Sequence, residues 1–320
     1  MKKAIRIIGR ILLGFLLLDL AVVLTVFVYH RIMLAKEEGL LDHYPGQLVE
    51  VDGHSMNVCV LGEGAHTLVF LAPSQDTSPA ITFEQIYSQL DGEYRTVVIE
   101  KFGYGMSEIV DTPRDYQTMV EECCSALAQA GVEAPYILCP YSKSGIDTLL
   151  WMQEYPDEVE AVIGIDMAFP EHIRRMGIDT ENLKQATAFM GIARATGLIR
   201  LFVPDSAFSP LHTKEQVALE RALVCRKFGN HNINYDELVT LPDACDLADS
   251  RPLPEKPMLL FLTNGVPKIE TQTWQEIARS YAEDPERVSV TVLDCSHYQI
   301  IEAESGEMAE EMQSFLGNLD

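Results

Sequence analysis

Six short, largely apolar runs separated by helical patterns constrain this chain more than any other feature. They occupy residues 67–71, 96–99, 136–139, 161–165, 258–262 and 288–292. Strands that are covered on both faces read as near-continuous apolar runs of this kind. Their alternation with helices predicts a parallel sheet joined by right-handed crossovers. The helical patterns carry their own punctuation. For residues 113–130, Thr112 can cap the start, Pro113 suits the first turn and Gly131 can end it. A second helix is expected over 145–155, stopped by Pro156, and a third over 306–316. Residues 48–51 and 56–61 flank Asp52-Gly53 and predict a hairpin at the start of the sheet.

Between about 171 and 256 the rhythm becomes helical only, as in 213–228. An all-helical excursion between two sheet strands predicts a cap over the carboxyl edge, where such sheets bind ligands.

The first residues are of a different kind. From 11 to 29 the chain is almost wholly apolar, long enough to cross a bilayer as a helix. Asp19 opposes insertion by about 2.5–3.5 kcal/mol. Fourteen Leu, Ile, Val and Phe residues in that window favour it by roughly 4–8 kcal/mol on the same scale. The run leads into His30-Arg31-Ile32-Met33 and not into a small-residue cleavage site. An uncleaved anchor over residues 1–36 is therefore expected, followed by one catalytic unit over 37–320. Lys2, Lys3, Arg6 and Arg10 precede the span, and only Arg31 and Lys36 follow it closely. That bias predicts a cytoplasmic N-terminus, with the domain on the extracytoplasmic side of the cell membrane.

The 24 basic against 48 acidic residues give a formal net charge of −24, which disfavours nucleic-acid binding. The seven cysteines, Cys59, Cys123, Cys124, Cys139, Cys225, Cys245 and Cys295, show no C-x-x-C or zinc spacing. They read as small buried hydrophobes, with neither a disulfide framework nor a bound metal expected.

Pro140-Tyr141-Ser142-Lys143-Ser144-Gly145 lies between an apolar run and a helix. That is the setting of a nucleophile elbow, a tight turn lifting a serine above the sheet edge. Gly103-Tyr104-Gly105-Met106-Ser107 follows an earlier run. With these motifs the chain, from about residue 48 to 315, resembles the α/β-hydrolase family, whose G-x-G-x-S loop the second motif matches. The resemblance implies a mostly parallel eight-stranded sheet with helices on both faces and a helical cap before the penultimate strand.

Ser142 is then the expected nucleophile, although the usual G-x-S-x-G has become Pro-x-Ser-x-Ser. Ser144 is the rival, but it would place Ile146 at the crowded position two residues on, whereas Ser142 leaves Gly145 where the family often has a second glycine. His297, in Asp294-Cys295-Ser296-His297-Tyr298 directly after the last run, matches the family's general base in order and context. The acid stays open between Asp166, at the end of the fourth run, and Asp294 or Glu270. The oxyanion hole is expected to combine the amide of Lys143 with that of Ser74, or of Gln75, in a loop where Ala72-Pro73 replaces the family's usual His-Gly. The Lys143 side chain is expected to point away from Ser142.

Three functions follow. The first is a serine hydrolase of carboxylesterase or lipase type, cleaving an ester or related acyl bond in a small-molecule or lipid substrate without any cofactor. The second is an aminopeptidase-like enzyme holding the substrate amine on cap carboxylates such as Glu215, Glu220 or Asp236. The third is a non-catalytic binding protein that has kept the fold.

Overall fold

The computed structural model describes residues 2–90, 92, 94–281 and 287–319. Met1 and Asp320, the ends of the expected anchor and catalytic unit, lie outside the described residues. The chain opens with one continuous helix, α1 (Lys2–Leu41), then the hairpin β1 (Gln47–Val51) and β2 (His54–Leu61), and β3 (Thr67–Leu71). The short helices α2 (Pro79–Thr82) and α3 (Glu84–Tyr87) precede β4 (Arg95–Glu100). Then follow α4 (Tyr116–Gln129), β5 (Tyr136–Pro140), α5 (Ser144–Glu154) and β6 (Val159–Ile165). An insertion of α6 (Pro170–Met176), α7 (Thr180–Thr196), α8 (Lys214–Lys227) and α9 (Glu237–Asp249) separates β6 from β7 (Met258–Leu262). The chain closes with α10 (Thr271–Ser280), β8 (Val288–Val292) and α11 (Ile300–Leu316).

The eight strands form one sheet in the order β1-β2-β4-β3-β5-β6-β7-β8. Pairing is antiparallel for β1–β2 and β2–β4 and parallel from β4 onward. The hairpin turns on Asp52 (φ 51) and Gly53 (φ 80), the two left-handed residues that a two-residue connection requires. Successive side chains of a strand point to opposite faces, and the core divides accordingly. Val69, Val97, Leu138, Val162 and Leu260 face α4 and α5. Leu68, Phe70, Val98, Ile137 and Phe261 face α3 and α11. Each such burial contributes about 1.5–3 kcal/mol, which explains why the central runs are apolar at every position. β8, at the sheet edge, is only partly covered and accepts Ser289 and Thr291.

Two expectations from sequence are corrected. The helix expected from Pro113 begins at Tyr116, because Asp115 accepts a hydrogen bond from Thr118 N–H and takes the capping position expected of Thr112. The helix expected from 306 begins at Ile300 and continues through a kink at Glu304. The first helix runs past the boundary of 36 expected for the anchor. It continues to Leu41, and from His30 onward one side of it is packed against the fold. It is the one helix among the described residues long and apolar enough to cross a membrane.

Candidate active site

β5 ends at Pro140, and the chain turns before α5 begins. Tyr141 N–H donates to Leu71 O (3.1 Å) and Ser142 N–H to Ile165 O (3.3 Å), so pairing resumes on both sides after the proline. Ser142 has φ 58, a left-handed conformation that costs a non-glycine residue of order 1–3 kcal/mol unless its surroundings enforce it. They do: Ser142 O accepts from Ala168 N–H at 2.7 Å and from Gly145 N–H at 3.0 Å. A Cβ on Gly145 would come within 2.2 Å of Ala168 O, so glycine is needed there. Ser144 is fully buried, with Oγ 2.8 Å from both Leu71 O and Tyr141 O. Its hydroxyl therefore clamps the turn to the sheet, whereas the partly exposed Ser142 faces the cavity.

The tertiary fold brings three of the expected residues into one line. His297 Nε2 is 2.8 Å from Ser142 Oγ, and His297 Nδ1 is 2.6 Å from Asp166 Oδ2. His297 opens a short 3₁₀ turn after β8. Its N–H donates to Gly265 O (3.2 Å), and its carbonyl accepts from the Tyr141 hydroxyl (2.7 Å). Asp166, at the end of β6 with φ 41, is completely buried. The rival carboxylates are elsewhere: Asp294 accepts from Asn264 Nδ2, and Glu270 is exposed ahead of α10.

Residues that the sequence did not single out complete the carboxylate's surroundings. Asp166 Oδ1 accepts from Thr263 N–H (3.0 Å) and from the Trp274 indole N–H (2.9 Å), and Oδ2 accepts from Thr263 Oγ1 (2.5 Å). Hydrogen bonds to a charged acceptor are worth roughly 1.5–3 kcal/mol each, enough to keep a buried carboxylate solvated by protein. His172 stacks on Trp274 with ring centroids 3.9 Å apart. Its Nδ1 accepts from Phe169 N–H, and its Nε2 lies 2.8 Å from Trp274 O. This pairing suits the neutral ring with its proton on Nε2, and burial lowers the His172 pKa to about 4.

Ser74 and Lys143 both line the cavity beside Ser142. Neither amide has a hydrogen-bond acceptor among the described residues. The neighbouring Gln75 has φ 64, and its side chain donates to Asn234 Oδ1. The Lys143 side chain runs away from Ser142 into a buried cluster. Its Nζ is 2.6 Å from Glu237 Oε2 and 3.3 Å from the Tyr116 hydroxyl. Lys101 joins Glu237 Oε1 (3.0 Å) to Asp147 Oδ1 (2.8 Å), and the Tyr104 hydroxyl donates to Glu237 Oε2 (2.7 Å). Burial alone would raise the Glu237 pKa, but Lys101 and Lys143 hold it below the usual carboxylate range. Two lysines and two carboxylates thus tie the loop after β4 and the start of α5 to the insertion helix α9.

Above Ser142 lies a cavity of about 610 Å³. The insertion supplies Ile173, Met176, Leu183, Leu238 and Leu241, with Val266 and Trp274 opposite. None of the described lining residues is a carboxylate. Glu215 is exposed, Glu220 pairs with His212 at 2.7 Å, and Asp236 accepts from Asn232 Nδ2. All seven cysteines are free, and no group of three His, Cys, Asp or Glu among the described residues could hold a metal ion.

No model of a known protein family matches the chain. It is 29% identical over 270 residues to YbdG of Bacillus subtilis (strain 168), a protein described as uncharacterized, covering 82% of this chain and 81% of that one. It is 26% identical over 141 residues to 2-(acetamidomethylene)succinate hydrolase of Mesorhizobium japonicum, covering 43% of this chain and 48% of that enzyme. Among solved structures it is similar to the esterase EaEST from Exiguobacterium antarcticum, with a TM-score of 0.61 at 17% identity over 84% of this chain and 99% of that one. With its strand order, its helical insertion between β6 and β7 and its serine at the turn after β5, the chain has the α/β-hydrolase fold.

Proposed function

We propose that the protein is a serine hydrolase that cleaves an ester or related acyl bond through an acyl-enzyme intermediate. The observation that carries this reading is the unbroken contact from Ser142 Oγ through His297 to Asp166, at 2.8 and 2.6 Å. Ser142 Oγ attacks the acyl carbon while its proton passes to His297 Nε2. Asp166 Oδ2 holds the proton on Nδ1, fixing the tautomer and stabilising the imidazolium that forms. The oxygen that becomes negative is received by the N–H groups of Lys143 and Ser74, which have no other acceptor among the described residues. The leaving alkoxide takes the proton from Nε2. Water then attacks the acyl-enzyme with His297 again as base, releasing the acid and restoring Ser142.

Residues 37–320 act as one catalytic unit, with residues 171–256 as a cap that shields the site from water. The apolar cavity suits an acyl group or lipid chain, and its lack of carboxylates disfavours the anchoring of a substrate amine. α1 serves as a single-pass anchor in the cell membrane, with the domain on the extracytoplasmic side.

Labelling with a fluorophosphonate probe tests the reading. The wild-type chain is expected to label, Ser142→Ala to lose labelling, and p-nitrophenyl acyl esters to turn over much faster than aminoacyl amides. A folded wild-type protein that neither labels nor hydrolyses any acyl ester would overturn it.

A further inference from the structure

We propose that the part of the insertion next to α1 lies in the lipid interface, with Ile192, Leu201 and Phe202 entering the boundary between headgroups and acyl chains. This deepens the anchor reading of α1 and rests on it. From Ile11 to Leu24 the side chains of α1 are exposed and, Asp19 apart, apolar, and His30 is the first that is fully covered. What covers it is the turn after α7. A Cβ on Gly197 would fall 2.2 Å from His30 Cβ, and Arg200 Nε donates to His30 Nδ1 at 2.9 Å. Val26, one turn earlier on the same face of α1, is itself half-buried. The fold therefore reaches alongside the last turn of the apolar stretch.

The attachment is rigid. Arg200 grips both oxygens of the buried Glu37 at 2.7 and 2.8 Å. Arg226 donates to the same carboxylate and to Leu34 O, both at 2.6 Å. Two guanidinium groups sharing one buried carboxylate fix geometry in a way that a flexible tether does not. The orientation of the insertion against α1 is thus set by the fold.

At that height the surface is apolar. Leu201 and Phe202, directly after Arg200, are 60% and 76% exposed, and Ile192 is 61% exposed. The inward face of α7 is accounted for by Met190 against Gly229 and by Arg194 on Phe228 O. Ile192 and Phe189 occupy its outward face. Large exposed apolar side chains mark a contact surface, and Leu201 and Phe202 directly follow the Arg200 that holds His30, just past the segment that would cross the bilayer. The exposed Arg31 and Lys36, on the turns of α1 just past the span, suit the headgroup level. A lipid surface is therefore the occupant that the position favours. At about 1.5 Å per residue, the fourteen residues from Leu183 to Gly197 along α7 place the cavity wall roughly 21 Å from this contact.

Tryptophan quenching in nanodiscs tests the proposal on the full chain. The two native tryptophans, Trp151 and Trp274, are buried, so their emission is a constant background. Phe202→Trp and Ile192→Trp place a reporter on the surface. Leu16→Trp reports the span, and Glu133→Trp sits before β5, at the opposite end of the sheet. In discs with brominated acyl chains, the added emission of Phe202→Trp and Ile192→Trp is expected to fall by roughly half, as befits burial of about 5–10 Å, while Glu133→Trp is unchanged. If Leu16→Trp is quenched but the two surface reporters behave like Glu133→Trp, the span inserts, the insertion stands clear of lipid and this proposal alone fails. If Leu16→Trp is not quenched either, the anchor reading fails and the proposal falls with it.

Discussion

The indole N–H of Trp274 donates to Asp166 Oδ1 at 2.9 Å, while the other oxygen of that carboxylate meets His297 Nδ1 at 2.6 Å. Trp274 thus fixes which way Asp166 presents itself, although it belongs to α10 and Asp166 ends β6. The Trp274→Phe variant keeps a ring against His172 and removes this one donor. A fall in kcat of about 10- to 100-fold is expected, matching the loss of one hydrogen bond to a charged group. Steady-state kinetics with a p-nitrophenyl ester would check it, and an unchanged kcat would remove Trp274 from the site.

Asp166→Asn leaves the volume of the side chain unchanged but offers His297 the wrong partner. The imidazole then loses the carboxylate that orients its proton, and kcat is expected to fall by roughly 10⁴ with little change in KM. If instead Asp294→Asn or Glu270→Gln produces that loss and Asp166→Asn does not, the carboxylate has been misassigned.

The buried His172 makes stability depend on pH. Its folded-state pKa, about 4, lies below its ordinary value of 6.5 because burial disfavours the charged ring. Between these values the unfolded chain binds a proton that the folded chain does not, so stability rises with pH across the window. It is fully present above about 6.5 and falls as pH drops towards 4, by about 3 kcal/mol in all. Urea unfolding at steps from pH 7 to 4.5 would show the slope, and His172→Phe should flatten this part of it.

The cluster below the turn predicts a separation of stability from chemistry at Lys143. Lys143→Met leaves the backbone amide in place, so probe labelling at Ser142 should persist. Glu237 would retain Lys101 but lose the closer lysine, and breaking a buried ion pair in this way costs about 3–5 kcal/mol. Denaturant titration beside the labelling assay would reveal both effects. Loss of labelling in a folded Lys143→Met protein would instead give the ammonium a part in the chemistry.

Gly145→Ala tests the turn itself. The added methyl would overlap Ala168 O, which is backbone and cannot swing aside. A fall in Tm of several degrees, corresponding to about 1–3 kcal/mol of overpacking, is expected.

Order along the chain and local pattern were enough to reveal the strands, because a strand covered on both faces must be apolar throughout, as 67–71 and 258–262 are. Ser142 and His297 were marked by the resemblance to the α/β-hydrolase family, each standing where an apolar run gives way to a helix. Helix starts were less legible: Asp115, and not Thr112, took the cap, because several residues near one another could do so and packing chose between them. The carboxylate partner of His297 was undecidable from sequence. Asp166, Asp294 and Glu270 all follow strands, and only the three-dimensional arrangement of β6, β7 and β8 shows which carboxylate reaches the imidazole. Thr263 and Trp274 gave no signal, because a threonine at a strand end and a tryptophan on an amphipathic helix are usually plain packing residues. The grip of Arg200 and Arg226 on Glu37 joins residues more than 160 positions apart. Periodicity reports which face of an element is covered and never by what, so pairings over such distances belong to the tertiary structure alone.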